Sequence, residues 1–129
     1  MPAKLISVIG PPAVGKTTLA ELVAKELPAE LVLEDYAGNP FLADSYMGRD
    51  EARLPAQIFY LLSRVNQLSA ACWPQEGLVV SDYGFCQDKL YARTRLSACD
   101  LESYERVATR LASAVQPADL IIHLDASVA

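Results

Sequence analysis

An α/β fold built on a parallel sheet is what this sequence predicts, and three observations predict it. Short apolar runs at 5–9, 31–33, 78–82 and 120–125 alternate with longer stretches of helical period. The last three runs close on carboxylates, at Glu34 and Asp35, at Asp82 and at Asp125. The first run passes directly into Gly10-Pro11-Pro12-Ala13-Val14-Gly15-Lys16-Thr17, which satisfies the pattern G-x-x-x-x-G-K-[ST] in full. A chain of 129 residues is long enough to bury a core, and one domain spanning 1–129 is expected.

The glycine-rich loop is the most specific signal. Successive backbone N–H groups have to curl around a phosphate, and Gly15 lets the chain come close to it. The helix that follows adds unpaired N–H groups and the positive end of its dipole. Lys16 reaches the β- and γ-phosphates, and the Thr17 hydroxyl suits a magnesium ion. The expected ligand is a nucleoside triphosphate or a close relative. The bland alternative, a chance Gly/Pro turn, does not account for the strand and helix on either side.

The remaining elements follow in order. A first helix over 18–27 is halted by Pro28, which cannot continue a helix interior. With the run at 31–33 it makes a βαβ unit, which favours a parallel sheet with ligands at the carboxyl ends of the strands. Glu34 then emerges on the edge that carries the loop. Residues 39–47 read as a short helix with Asn39 as cap and Pro40 at the first helical position, ended by Gly48. A longer helix over 53–72 carries the stripe Leu54, Ile58, Leu61, Val65, Leu68 and Cys72. Gln57 and Arg64 share a line on a neighbouring face, and spacing alone makes that line a solvated polar edge.

The run at 78–82 delivers Asp82 to a strand end. A phosphate-loop protein needs such an acid near magnesium, on the strand beside the loop strand. Asp125 is a second candidate of the same shape, and Asp82 is preferred. Residues 85–95 read as helical. Asp100 reads as the cap of a last helix with the apolar line Leu101, Tyr104, Ala108, Leu111 and Val115, ended by Gln116-Pro117.

Composition narrows the function. The net charge of −5, with no run of Lys or Arg, argues against a nucleic-acid footprint or an anionic membrane surface. No apolar run approaches the ~18 residues of a membrane span. The three cysteines, Cys72, Cys86 and Cys99, form no C-x-x-C pair, so a reducing, cytoplasmic setting is expected, with neither a disulfide framework nor a zinc site. His123, the lone histidine, reads as a strand residue and not as a ligand.

Gly10 to Thr18, Glu34, Asn39-Pro40-Phe41-Leu42 followed by Tyr46, Gln57 with Arg64, Ser81-Asp82-Tyr83, Tyr91-Ala92 and Pro117-Ala118-Asp119-Leu120 occur in the order seen in deoxynucleoside kinases. The chain resembles that family over nearly its whole length, and its Ser-Asp-Tyr element is similar to the bacterial deoxyadenosine/deoxyguanosine kinase branch. The resemblance implies a three-layer P-loop kinase fold and ATP-dependent, Mg2+-requiring phosphorylation of a deoxynucleoside 5′-hydroxyl, of the purine type, by a homodimer. It implies ATP on residues 10–18, including Thr18, and Mg2+ at Thr17 and Asp82. Glu34 matches the general base, with Lys16 and Asp82 beside it in catalysis. Glu34, Leu42, Tyr46, Gln57, Arg64 and Asp82 match the substrate pocket. Within it, Tyr46 falls to the sugar 3′-hydroxyl, Gln57 to the base edge, and Arg64 flanks the base.

Ile9, Ala56 and Gln87 depart from the family, which tends to carry Glu, an aromatic residue and Lys there. Relatives continue past the strand after Pro117 into an arginine-rich lid, a further strand and closing helices, so a fold without the lid and last strand is expected. Two alternatives stand beside this reading: a truncated, non-catalytic ATP-binding module, and another small-molecule or nucleotide kinase of the same architecture.

Overall fold

The computed structural model describes residues 3–11, 13–35, 37–69, 73, 74 and 76–125; Pro12 and Cys72, named above, lie outside them. Strand β1 (Lys4–Ile9) is buried from Leu5 to Val8, as a strand covered on both faces must be. Helix α1 (Lys16–Glu26), strand β2 (Glu30–Val32), strand β3 (Leu78–Ser81) and strand β4 (Leu120–His123) complete the first of two compact units, together with their connecting segments. The four strands form one parallel sheet in the order β2-β3-β1-β4. The expected βαβ unit is present, with β3 inserted between its two strands. Ala20 and Ala24 of α1 pack with Ile6, Val8 and Val80 in the core of this unit, flanked by Leu19, Val23, Leu31 and Ile122.

Register is set by more than apolar pattern. Ser7 stands opposite Ser81, both are buried, and their hydroxyls are 3.0 Å apart in a shared hydrogen bond. The Ser81 hydroxyl gives its one proton to the Tyr83 carbonyl at 2.6 Å, so Ser7 is the donor in the pair, and the bond braces the turn that leaves β3. On the other side of β1, Asp119 exchanges two bonds with Leu5. Its backbone N–H donates to the Leu5 carbonyl at 2.8 Å, and its Oδ2 accepts from the Leu5 N–H at 2.8 Å. The motif residue ahead of β4 is thus a strand-pairing device. Strand β4 forms one edge of the sheet, with Leu120 and Ile121 exposed.

The second unit is helical: α2 (Leu42–Tyr46), α3 (Arg53–Gln67), α4 (Asp88–Arg95) and α5 (Ala98–Leu111), with α3 packed against the other three. Several boundaries differ from the sequence expectation, three of them at helix ends. The helix expected from Asn39 begins only at Leu42, with residues 40 and 41 in a turn, although the Asn39 Oδ1 accepts from the Phe41 N–H at 3.1 Å as a cap would; its Nδ2 donates to the Ala56 carbonyl at 3.1 Å. Helix α3 stops at Gln67, with the Leu68 N–H closing the last turn on the Arg64 carbonyl. Ser97, not Asp100, caps α5: its Oγ accepts from the Asp100 N–H at 3.2 Å, which places Asp100 inside the first turn.

Removing the Asp119 carboxylate leaves the N–H of Leu5, a residue only 1% exposed, without its side-chain acceptor. Asp119→Ala should therefore lower unfolding free energy by about 1–3 kcal/mol, read from the urea midpoint at unchanged slope.

Candidate active site

In the first unit the loop between β1 and α1 has the backbone that a phosphate cradle needs. Gly15 takes φ +102° at the helix start, and a Cβ at Gly10 would lie 2.6 Å from the Leu124 carbonyl oxygen. Ala13 also adopts a positive φ, of 60°. Lys16 Nζ donates to the Gly10 carbonyl at 2.8 Å, which bends the ammonium back over its own loop. Thr17 and Thr18 begin α1 and are exposed.

Asp82 ties this loop to the end of β2. It is buried, its Oδ2 accepts from the Thr17 hydroxyl at 2.6 Å, and its Oδ1 accepts from the Glu34 N–H at 3.0 Å. The Asp82 N–H in turn donates to the Val32 carbonyl at 3.3 Å. Strand order explains how this acid reaches both Thr17 and Glu34. Strand β3 lies between β1 and β2, so its end residue can reach both the start of α1 and the end of β2. Asp125 is exposed beyond β4.

The Thr17 hydroxyl spends its proton on Asp82 and keeps its lone pairs for a cation. Together with the carboxylate this makes an all-oxygen donor set, which fits Mg2+. Among the described residues no group of three or more His, Cys, Asp or Glu could hold a metal ion, so phosphate oxygens would have to supply the other ligands.

In the second unit Gln57 and Arg64 are not a solvated edge. They are 8% and 5% exposed, on the same buried face of α3 as Ala56, Tyr60, Leu61 and Val65. Arg64 forms a buried ion pair with Asp88 Oδ1, from the first turn of α4, and its guanidinium lies 5.3 Å from the Tyr60 ring centroid. Burial raises the Tyr104 phenol above its ordinary range, with the Arg64 charge offsetting part of the effect, so the phenol is neutral at physiological pH. Asp88 Oδ2 is buried without a hydrogen-bond partner among the described residues. Leu42 is half-buried on α2, and Tyr46, at the end of the same helix, is 64% exposed. Sequence reading missed Asp88, because an acid 24 residues from its partner leaves no periodic signal.

A parallel sheet with the G-x-x-x-x-G-K-[ST] loop between its central strand and the following helix defines a P-loop kinase fold. Solved structures share it. The deoxyadenosine kinase from M. mycoides with products dCMP and a flexible dCDP bound has a TM-score of 0.80 at 20% identity, over 95% of this chain and 64% of that one. The NadR protein in complex with NR has a TM-score of 0.73 at 21% identity, over 94% and 33%. At these identities the likeness is one of fold.

The chain belongs to the deoxynucleoside kinase family, whose model matches residues 6–129. It is 28% identical over 129 residues to the deoxyguanosine kinase of Bacillus subtilis (strain 168), covering 98% of this chain and 62% of the relative. It is 31% identical over 127 residues to the deoxyadenosine kinase of Dictyostelium discoideum, covering 95% and 51%. The chain therefore spans less than two thirds of the length of either curated relative. Among the described residues no helix is long and apolar enough to cross a membrane.

Breaking a buried ion pair strands a charge, whereas replacing both partners need not. Asp88→Ala should cost about 3–5 kcal/mol in denaturant unfolding, and Arg64→Met with Asp88→Leu should recover most of that loss. Asp82→Ala removes both acceptors and leaves the Glu34 N–H without its side-chain partner. An unfolding loss of about 1–3 kcal/mol is expected on the same assay.

Proposed function

We propose that this chain carries the phosphate-donor and acceptor sites of a deoxynucleoside kinase, transferring the γ-phosphoryl group of ATP to the 5′-hydroxyl of a deoxynucleoside, with the purine deoxynucleosides as preferred acceptors. Family membership supports the reaction class. The observation that carries the residue assignment is Asp82, whose carboxylate joins the phosphate-loop threonine to the backbone of Glu34.

In this reading the loop N–H groups and Lys16 hold the triphosphate, with Lys16 turning from the Gly10 carbonyl to the phosphates. Thr17 and Asp82 would hold Mg2+, which when bound neutralises charge on the phosphate oxygens. The 5′-oxygen forms a bond to the γ-phosphorus as the bond to the β,γ-bridging oxygen breaks. Glu34 accepts the hydroxyl proton and ADP leaves with the released electron pair. The protein's contribution is mostly position and charge, as phosphoryl transfer requires.

Gln57 and the Arg64–Asp88 pair are assigned to the base, which carries both donors and acceptors on its edge. A buried carboxylate oxygen without a partner is costly, and a donor on a bound base relieves that cost at Asp88 Oδ2. Tyr46 is assigned to the sugar 3′-hydroxyl and Leu42 to the pocket wall. Assembly as a homodimer and residence in the cytoplasm belong to the same reading.

The test is phosphate transfer from labelled ATP to each of the four deoxynucleosides, with Lys16→Ala, Glu34→Gln and Gln57→Leu alongside. Lys16→Ala and Glu34→Gln should each lower kcat by at least about 100-fold, on the scale of a lost general base. Gln57→Leu should raise KM for the deoxynucleoside by about 10-fold or more while sparing KM for ATP. Transfer indifferent to Gln57 would indicate a kinase for another small molecule, and Lys16-dependent ATP binding without transfer a nucleotide-binding module.

A further inference from the structure

We propose that Arg95 is a positioning residue for the sugar of the substrate and acts through Tyr46; this rests on the assignment of Tyr46 to the 3′-hydroxyl. Arg95 is the last residue of α4, and 49 positions separate it from Tyr46 at the end of α2. Two contacts join them. The Arg95 guanidinium carbon lies 4.9 Å from the Tyr46 ring centroid, and Arg95 Nη2 donates to the phenol oxygen at 3.5 Å.

The direction of the second contact carries the chemistry. A guanidinium has donors and no acceptor, so the phenol oxygen accepts from Arg95 and its own proton points away from the cation. Tyr46 then presents a hydrogen-bond donor to the substrate, and a sugar hydroxyl oxygen is the matching acceptor. The face contact does a different job. A tyrosine 64% exposed would otherwise sample several rotamers, and ordering it on binding costs affinity. A planar cation over one face of the ring limits that freedom beforehand.

A basic residue in the last turn of a helix is favoured by the helix dipole whatever it touches. That general preference does not account for a reach to the ring and the hydroxyl of one residue on another helix. Nor does it make the contact a stability device, since exposed pairs of this kind contribute little to folding. The consequence is therefore sought in substrate affinity.

Binding and steady-state kinetics of the wild type, Arg95→Ala, Arg95→Lys, Tyr46→Phe and the Tyr46→Phe/Arg95→Ala pair should be measured with deoxyadenosine and with 2′,3′-dideoxyadenosine. Arg95→Ala should weaken deoxyadenosine binding by about 3–10-fold with kcat little changed, on the scale of one exposed cation–ring contact and one weak hydrogen bond. Arg95→Lys should fall between the two. Binding of the dideoxy analogue, which lacks the 3′-hydroxyl, should lose much less. In the Tyr46→Phe background Arg95→Ala should add much less than it does alone.

Equal losses for both nucleosides, or a full Arg95 effect without the phenol, would overturn the proposal by showing that Arg95 acts independently of Tyr46. An Arg95→Ala variant with wild-type affinity, beside a weakened Tyr46→Phe, would overturn it while leaving the Tyr46 assignment intact. A wild type that binds no deoxynucleoside, or a Tyr46→Phe variant that binds as the wild type does, would overturn that assignment and this proposal with it. The shift of the Tyr46 ring NMR signals on Arg95→Ala, measured without ligand, reports the contact separately.

Discussion

A single buried carboxylate governs the geometry of the loop between β1 and α1 and its neighbouring strand end. Asp82 is largely withdrawn from water, and a carboxylate so placed is tolerated only when donors surround it. The donors it finds are the Thr17 hydroxyl and the Glu34 N–H, one from the start of α1 and one from the end of β2. Both can reach it because β3 lies between β1 and β2 in the sheet. The Ser7–Ser81 hydroxyl pair and the Ser81 bond to the Tyr83 carbonyl hold the end of β3 in that register. A strand order chosen by packing thus becomes a constraint on chemistry: the phosphate loop and the Glu34 backbone cannot move far without stranding a charge.

The helical unit is organised by a second buried charge pair. Arg64 and Asp88 take up space that apolar side chains would fill at less electrostatic cost, and a buried pair is weak grounds for claiming stability. Its effect here is on orientation. Asp88 fixes the guanidinium on the same face of α3 as Gln57, and Tyr60 lies beneath it. This puts two directional polar side chains within a buried face. Asn39 adds to the same economy of polar groups by tying the segment before α2 to the Ala56 carbonyl.

The phosphate loop, its flanking strand and helix, the parallel sheet and the candidate acids were legible in the residues, because each rests on local chemistry. Glycine at the positions of tight turn, apolar runs of strand length and acids at the strand ends all act over a few residues. Element boundaries were less legible, because neighbouring polar side chains offer competing caps and turns within a few residues. Asn39 keeps a cap-like bond to the Phe41 N–H and adds one to the Ala56 carbonyl, yet the regular α2 helix starts at Leu42, two residues after Pro40. Ser97 outcompeted Asp100 as the α5 cap because it lies at the helix boundary, with Asp100 already inside the first turn.

By itself the sequence determined the nucleotide loop, the α/β class and which acids stand at strand ends. These follow from spacing, and spacing is written in the chain. Only the tertiary structure decided that the Asp82 carboxylate joins Thr17 to the Glu34 N–H, since that depends on which strand lies where in the sheet. It also put Gln57 and Arg64 on a buried face, where periodicity alone placed them on a polar edge and the family resemblance in a pocket. The physical reason is that burying a charge depends on a partner distant in the chain, and Asp88 becomes Arg64's partner only when α4 packs on α3.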